Sequence, residues 1–99
     1  MRYKSKETGG EMSECLATMI SGNYALAVVN ELGREGYRFM VMPTPCRIAR
    51  AGCGHCIRLP EEHIPVLRNK CNQLGYAISE IYRIVPENNR SRYVRIYPG

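Results

Sequence analysis

The chain has no tryptophan and a single phenylalanine, Phe39, so a core must be filled by Leu, Ile, Val, Met and Tyr. It also lacks aspartate, all 9 acidic residues being glutamate, and neither a Ser/His/Asp constellation nor a pair of catalytic carboxylates emerges. No glycine-rich phosphate loop is present, because Gly33 and Gly36 close a helical pattern instead of opening one. Long hydrophobic runs are missing: nothing approaches the roughly 20 apolar residues that cross a bilayer, and Met1 to Glu11 has no apolar signal region. A membrane role is therefore not expected, and the expected compartment is the cytoplasm. There the 5 cysteines, an odd number without the spacing of a secreted disulfide framework, would stay reduced.

What is present is one domain's worth of chain, 99 residues with 44% hydrophobic content and a net charge of +5. The positive charge is partly carried by the terminal segments and decides little about partners.

The most distinctive stretch runs from Pro43 to Leu59. It holds Cys46, Cys53 and Cys56 among glycines and prolines, and from Gly36 to Pro60 there is no acidic residue while Arg38, Arg47, Arg50 and Arg58 supply positive charge. Nearby cations favour the thiolate form of cysteine. Cys53 lies between Gly52 and Gly54, which give the backbone freedom and keep bulk away from the sulfur, so it is the candidate nucleophilic or sulfur-carrying residue. The plainer reading is a surface loop with an incidental thiol.

Hydropathy patterning places elements on either side of this loop. The run Cys15–Ile20 reads as a strand buried on both faces, and Ser21 or Asn23 as the N-cap of a helix whose apolar positions are Ala25, Val28, Val29 and Leu32. Gly36 ends that helix. Arg38–Met42 and His55–Leu59 read as strands two and three, with Cys56 and Arg58 on the face opposite Ile57 and Leu59. A second helix starts near His63 or Ile64, carries Ile64, Leu67, Cys71 and Leu74 on one stripe, and stops at Gly75. Tyr76–Val85 reads as a fourth strand with a bulge near Ser79-Glu80.

The expected fold is α+β, a ferredoxin-like split βαβ arrangement in which two helices cover one face of a four-stranded antiparallel sheet. Its parts are a disordered arm over 1–12, the domain over 13–85, and a basic tail or edge strand over 86–99. The face of the sheet away from the helices is expected to be left to solvent or to a second copy in a homodimer.

Other readings of the cysteines remain open. Cys53-Gly-His-Cys56 is a C-x-x-C, but it opens a strand instead of preceding a helix as in thioredoxin-type redox motifs. A zinc site could use Cys46, Cys53 and Cys56 with His55, His63 or Cys71 as a fourth ligand, although the second close pair of a zinc ribbon is missing. No cofactor is otherwise expected. Base-stacking recognition of RNA is disfavoured, because strands one and three carry no aromatic residue. An interaction domain without thiol chemistry is the third alternative.

Taken together, Ser21-Gly-Asn-Tyr-Ala-Leu26, Glu35-Gly-Tyr37, Pro43-Thr-Pro45, Cys53-Gly54, Ile57-Arg-Leu59 and Ile81-Tyr-Arg-Ile84 resemble the selenium/sulfur (Se/S) carrier protein-like family of small bacterial domains. The resemblance covers about residues 14 to 85. It implies that Cys53 accepts a persulfide or selenium from a donor protein and passes it to an acceptor protein, a carrier more than a complete enzyme. Gly54, Arg47, Arg50 and Arg58 would support the thiolate. Cys46 and Cys56 are additional to the family pattern, with a resolving role for a persulfide as one reading.

Overall fold

The computed structural model describes residues 13–48 and 54–98. The arm expected over 1–12 lies outside the described residues. The elements run β1 (Glu14–Met19), α1 (Gly22–Arg34), β2 (Met40–Pro43), β3 (His55–Pro60), a 3-10 turn (Glu61–His63), α2 (Ile64–Leu74), β4 (Ile78–Glu87) and β5 (Arg90–Tyr97). They form one antiparallel sheet in the order β2-β3-β1-β4-β5 with two helices.

The first four strands keep the split βαβ order, but the sheet has five strands where four were expected. The added one is β5. Asn88 and Asn89 both take positive φ, 49° and 65°, a conformation that asparagine tolerates and that suits a two-residue hairpin turn. The chain therefore folds back, and Glu87 pairs with Arg90 and Ile84 with Tyr93. Residues Arg90–Tyr97 are thereby held as a strand along β4.

Helix α1 begins at Ser21, whose hydroxyl accepts from the Asn23 N–H at 3.1 Å. Ala25, Val28 and Leu32 are fully buried against the sheet, as their spacing requires. Its end is closed by Gly36 at φ 96°, with the Tyr37 N–H reaching Leu32 O at 3.0 Å. The end of α2 is built the same way: Gly75 has φ 78°, and the Tyr76 N–H donates to Cys71 O at 2.9 Å. That bond commits Tyr76 to the helix end, so β4 begins at Ile78 and not at Tyr76. Strand β2 likewise starts two residues later than expected, because Phe39 is buried beside Tyr37 and His63 before the chain joins the sheet.

The main core lies between the helices and the sheet: Cys15, Ala17, Met19, Val28, Leu32, Ile57, Leu59, Leu67, Cys71 and Ile81. Cys15 and Cys71 are core residues, and burial pushes each thiol pKa up to about 11, with the Glu61 charge a further cause at Cys15. The expected bulge is present, since Thr18 pairs with Glu80 and Met19 with Ile78, leaving Ser79 extra.

One polar clasp fixes the path from β3 into α2. Glu61 accepts from Arg83 on β4 through both oxygens, at 2.8 and 2.6 Å, and its backbone N–H donates to Ser13 O at 2.8 Å. The Arg83 hydrogen bonds and charge hold the Glu61 carboxyl below its ordinary value of 4.5, against a smaller opposing effect of burial. A lowered carboxylate pKa contributes stability that is present above the ordinary value and is lost as pH falls through the lowered one. Replacing Glu61 with Gln is therefore expected to lower the urea midpoint at neutral pH and to flatten its decline below pH 4.5. Parallel acid limbs in the two proteins would rule the clasp out as a source of that dependence.

Candidate thiol site

The loop between β2 and β3 is closed at its base, where the Thr44 N–H donates to Gly54 O at 3.0 Å. Its described first half, up to Ile48, is packed on the protein. Residues 46–48 form a turn in which the Ile48 N–H donates to Pro45 O at 3.0 Å, and Ile48 is buried on the sheet face away from the helices. There it meets Leu16, Cys56 and Tyr82, flanked by Met42, Ile84 and Tyr93. Arg47 Nη1 donates to Ser91 O on β5 at 3.1 Å. The loop thus leaves the β2 side of the sheet and reaches β5, roughly 15–19 Å away at ordinary strand spacing. The outer sheet face, expected to be open to solvent or to a second subunit, is sealed at its centre by the chain's own loop.

The sequence candidates fall in separate places. Cys53 and Arg50 lie outside the described residues. Cys46 is exposed, in the turn. Cys56 is on the outer face, as strand alternation required, yet it is 0% exposed beneath Ile48. Burial raises its thiol pKa, only partly offset by a Thr44 side-chain hydrogen bond, so in this state it is a poor nucleophile at neutral pH. Arg58 is also on that face, but its Nε donates to Glu14 Oε1 at 2.6 Å, and its charge is matched there.

A Cβ built on Gly54 would meet nothing nearer than Thr44 Oγ1 at 4.0 Å. What Gly54 contributes is the absence of a side chain next to Cys53.

His55 follows, and it points to the helix face while Cys56 points away, as their partners Pro43 and Met42 do on β2. The two could not ligate one metal from opposite sides of the sheet without local unfolding. Among the described residues no group of three His, Cys or Glu side chains is placed to hold a metal ion. The zinc alternative built on Cys46, Cys53, Cys56 and His55 includes Cys53, outside those residues.

On the helix side, His55 packs on the first turn of α1. A Cβ on Gly22 would come within 2.9 Å of His55 Nδ1, so Gly22 is what lets the imidazole sit there. Ser21, Gly22, Asn23, Leu26, Val41 and His55 surround a shallow cavity of about 290 Å³. This first turn holds no acidic residue, so the partial positive charge of the helix end is not neutralised locally.

Sequence reasoning missed Ile48, Gly22 and Ser91. Ile48 had a legible signal, being the one large aliphatic residue between Met42 and Ile57. Gly22 and Ser91 had none, since their roles depend on what the fold brings against them.

The fold and loop define a small α+β domain in which a cysteine-bearing loop is anchored across the sheet. A family model described as "Putative Se/S carrier protein-like" matches residues 14–83, and the chain belongs to that family. No curated protein and no solved structure gives a match. The matched stretch takes in the whole loop and ends inside β4, so β5 and the loop's anchor at Ser91 lie beyond it.

Proposed function

We propose that the protein carries sulfur or selenium as an adduct of Cys53, between a donor protein and an acceptor protein. The observation that carries this reading is the anchoring of the Cys53 loop. Its base is closed by the Thr44–Gly54 bond, its far side is tied to β5 through Arg47, and its return strand sets His55 against the positive end of α1. Family membership supports the same chemistry. In the transfer, the Cys53 thiolate attacks the outer sulfur of a donor persulfide. A new S–S bond forms, the donor S–S bond breaks, and the donor leaves as a thiolate, so no net oxidation is needed. Delivery is the reverse step toward an acceptor nucleophile, and a selenium adduct follows the same balance. Cys56, sealed under Ile48, is kept from expelling the carried atom by disulfide formation with Cys53.

The test is intact mass spectrometry after incubation with a cysteine desulfurase and cysteine. A gain of one sulfur, reversed by dithiothreitol and absent in Cys53→Ser, is expected, with Cys46→Ser retaining it. No gain on the wild-type protein, or an unchanged gain in Cys53→Ser, overturns the proposal.

A further inference from the structure

We propose that the groove between the Pro45–Ile48 turn and the start of β5 receives an anionic low-molecular-weight disulfide, with its carboxylates on Arg47 and Arg90 and its sulfur taken by Cys46. The groove has a volume of about 450 Å³ and is lined by Pro45, Cys46, Arg47, Arg90, Ser91 and Tyr93. That size suits a peptide-like ligand better than a simple oxyanion.

Charge is the decisive feature. Arg34, Arg58, Arg83, Arg92 and Arg95 each pair with a glutamate. Arg47 and Arg90 have no carboxylate partner among the described residues, and no acidic residue lines the groove. Residues distant in sequence thus bring two unmatched guanidinium groups to one depression, and guanidinium binds carboxylate with good geometry. Cys46, exposed and unpaired, is in the same depression. Tyr93 gives the groove an aromatic wall. Arg90, Ser91 and Tyr93 lie beyond residues 14–83, so the groove is built partly from chain outside the family match. The inference does not depend on sulfur carriage by Cys53.

The Cys46 thiolate attacks one sulfur of R–S–S–R. The Cys46–S–S–R bond forms as the ligand's disulfide bond breaks, R–S⁻ leaves, and the proton lost by Cys46 passes through solvent to R–S⁻. The disulfide is the oxidant, and Cys46 is oxidised.

The test uses the full chain as Cys53→Ser, so that loss of carrier chemistry cannot affect the outcome. Glutathione disulfide and the cationic cystamine are compared as probes, and the modified cysteine is located by peptide mass spectrometry. Cys46 is expected to react about tenfold faster with glutathione disulfide than with cystamine, an advantage that shrinks as ionic strength rises. Arg90→Gln, which leaves the Arg47–Ser91 bond in place, should remove part of that preference, and Arg47→Gln/Arg90→Gln nearly all of it. Equal rates with the two probes, or a preference unchanged in Arg90→Gln and in the double variant, overturn the proposal. So does modification that falls on a cysteine other than Cys46.

Discussion

Replacing Ile48 with Asp is expected to expose Cys56 while leaving Cys15 and Cys71 protected. In the native protein Ile48 is 7% exposed and covers a small cluster of Leu16, Cys56 and Tyr82 on the outer face of the sheet. A carboxylate in that position has no partner and would lose several kcal/mol by staying there, so the turn should lift from the sheet. The turn is otherwise held by the Arg47–Ser91 and Ile48–Pro45 hydrogen bonds, each of modest net value. Lifting it is a local opening and leaves the main core intact.

Two changes then act on Cys56 together: reagents reach the sulfur, and the burial that raises its pKa is relieved. We expect iodoacetamide to alkylate it faster by about two orders of magnitude, which corresponds to an opening made easier by about 2–3 kcal/mol. Cys15 and Cys71, in the main core, report global unfolding in the same experiment. Were Cys56 to stay as slow as Cys71, Ile48 would not be its cover. Were all three to react together, the variant would simply have unfolded.

Replacing Ile57 with Ala should cost clearly more stability than truncating a half-buried residue on the outer face of the sheet. Ile57 is fully buried in β3, between Ala17 of β1 and Val41 of β2. It faces the helices, so the space left by three missing carbons is lined by the main core and is closed only by moving the sheet and helices together. The expected cost is about 2–4 kcal/mol. In a domain of this size that lowers the melting temperature by about 10–25 °C. Ile84→Ala, on the half-buried outer face, should cost clearly less. A loss below about 1 kcal/mol at Ile57 in thermal or urea unfolding would contradict the placement of the core.

The helices and the first, third and fourth strands were legible because each has one dominant local signal: the period of Ala25, Val28 and Leu32, the glycines Gly36 and Gly75, and the apolar run of β1. Strand β5 was harder. Its pattern is short and interrupted by arginines, and it is a strand because Asn88 and Asn89 accept left-handed angles and β4 offers a free edge. The chemistry of the loop was readable in composition, namely the thiols, the glycines and the lack of acid. Its path was not. That Ile48 lands on Leu16 and Cys56, and that Arg47 meets a backbone oxygen 44 residues later, depends on where the sheet places distant segments. For the same reason Cys56 read as a candidate reactive thiol, since strand alternation gave its face but not what covers it.

The fifth strand also changes what a neighbouring molecule would encounter. A sheet's outermost strands are templates on which further chains can add, the usual beginning of fibrils. One template in this protein is β2, which is only four residues long and ends at Pro43. The other is β5, along which Arg90, Arg92 and Arg95 are exposed, and a row of solvated charged side chains disfavours the addition of a further strand there. The hairpin covers the margin of β4, including Ile81 and Ile84, and puts a cationic one in its place. A chain stopped at Asn88 would present that apolar margin to its neighbours, and polymerisation into β-rich assemblies is the failure to which it would be prone.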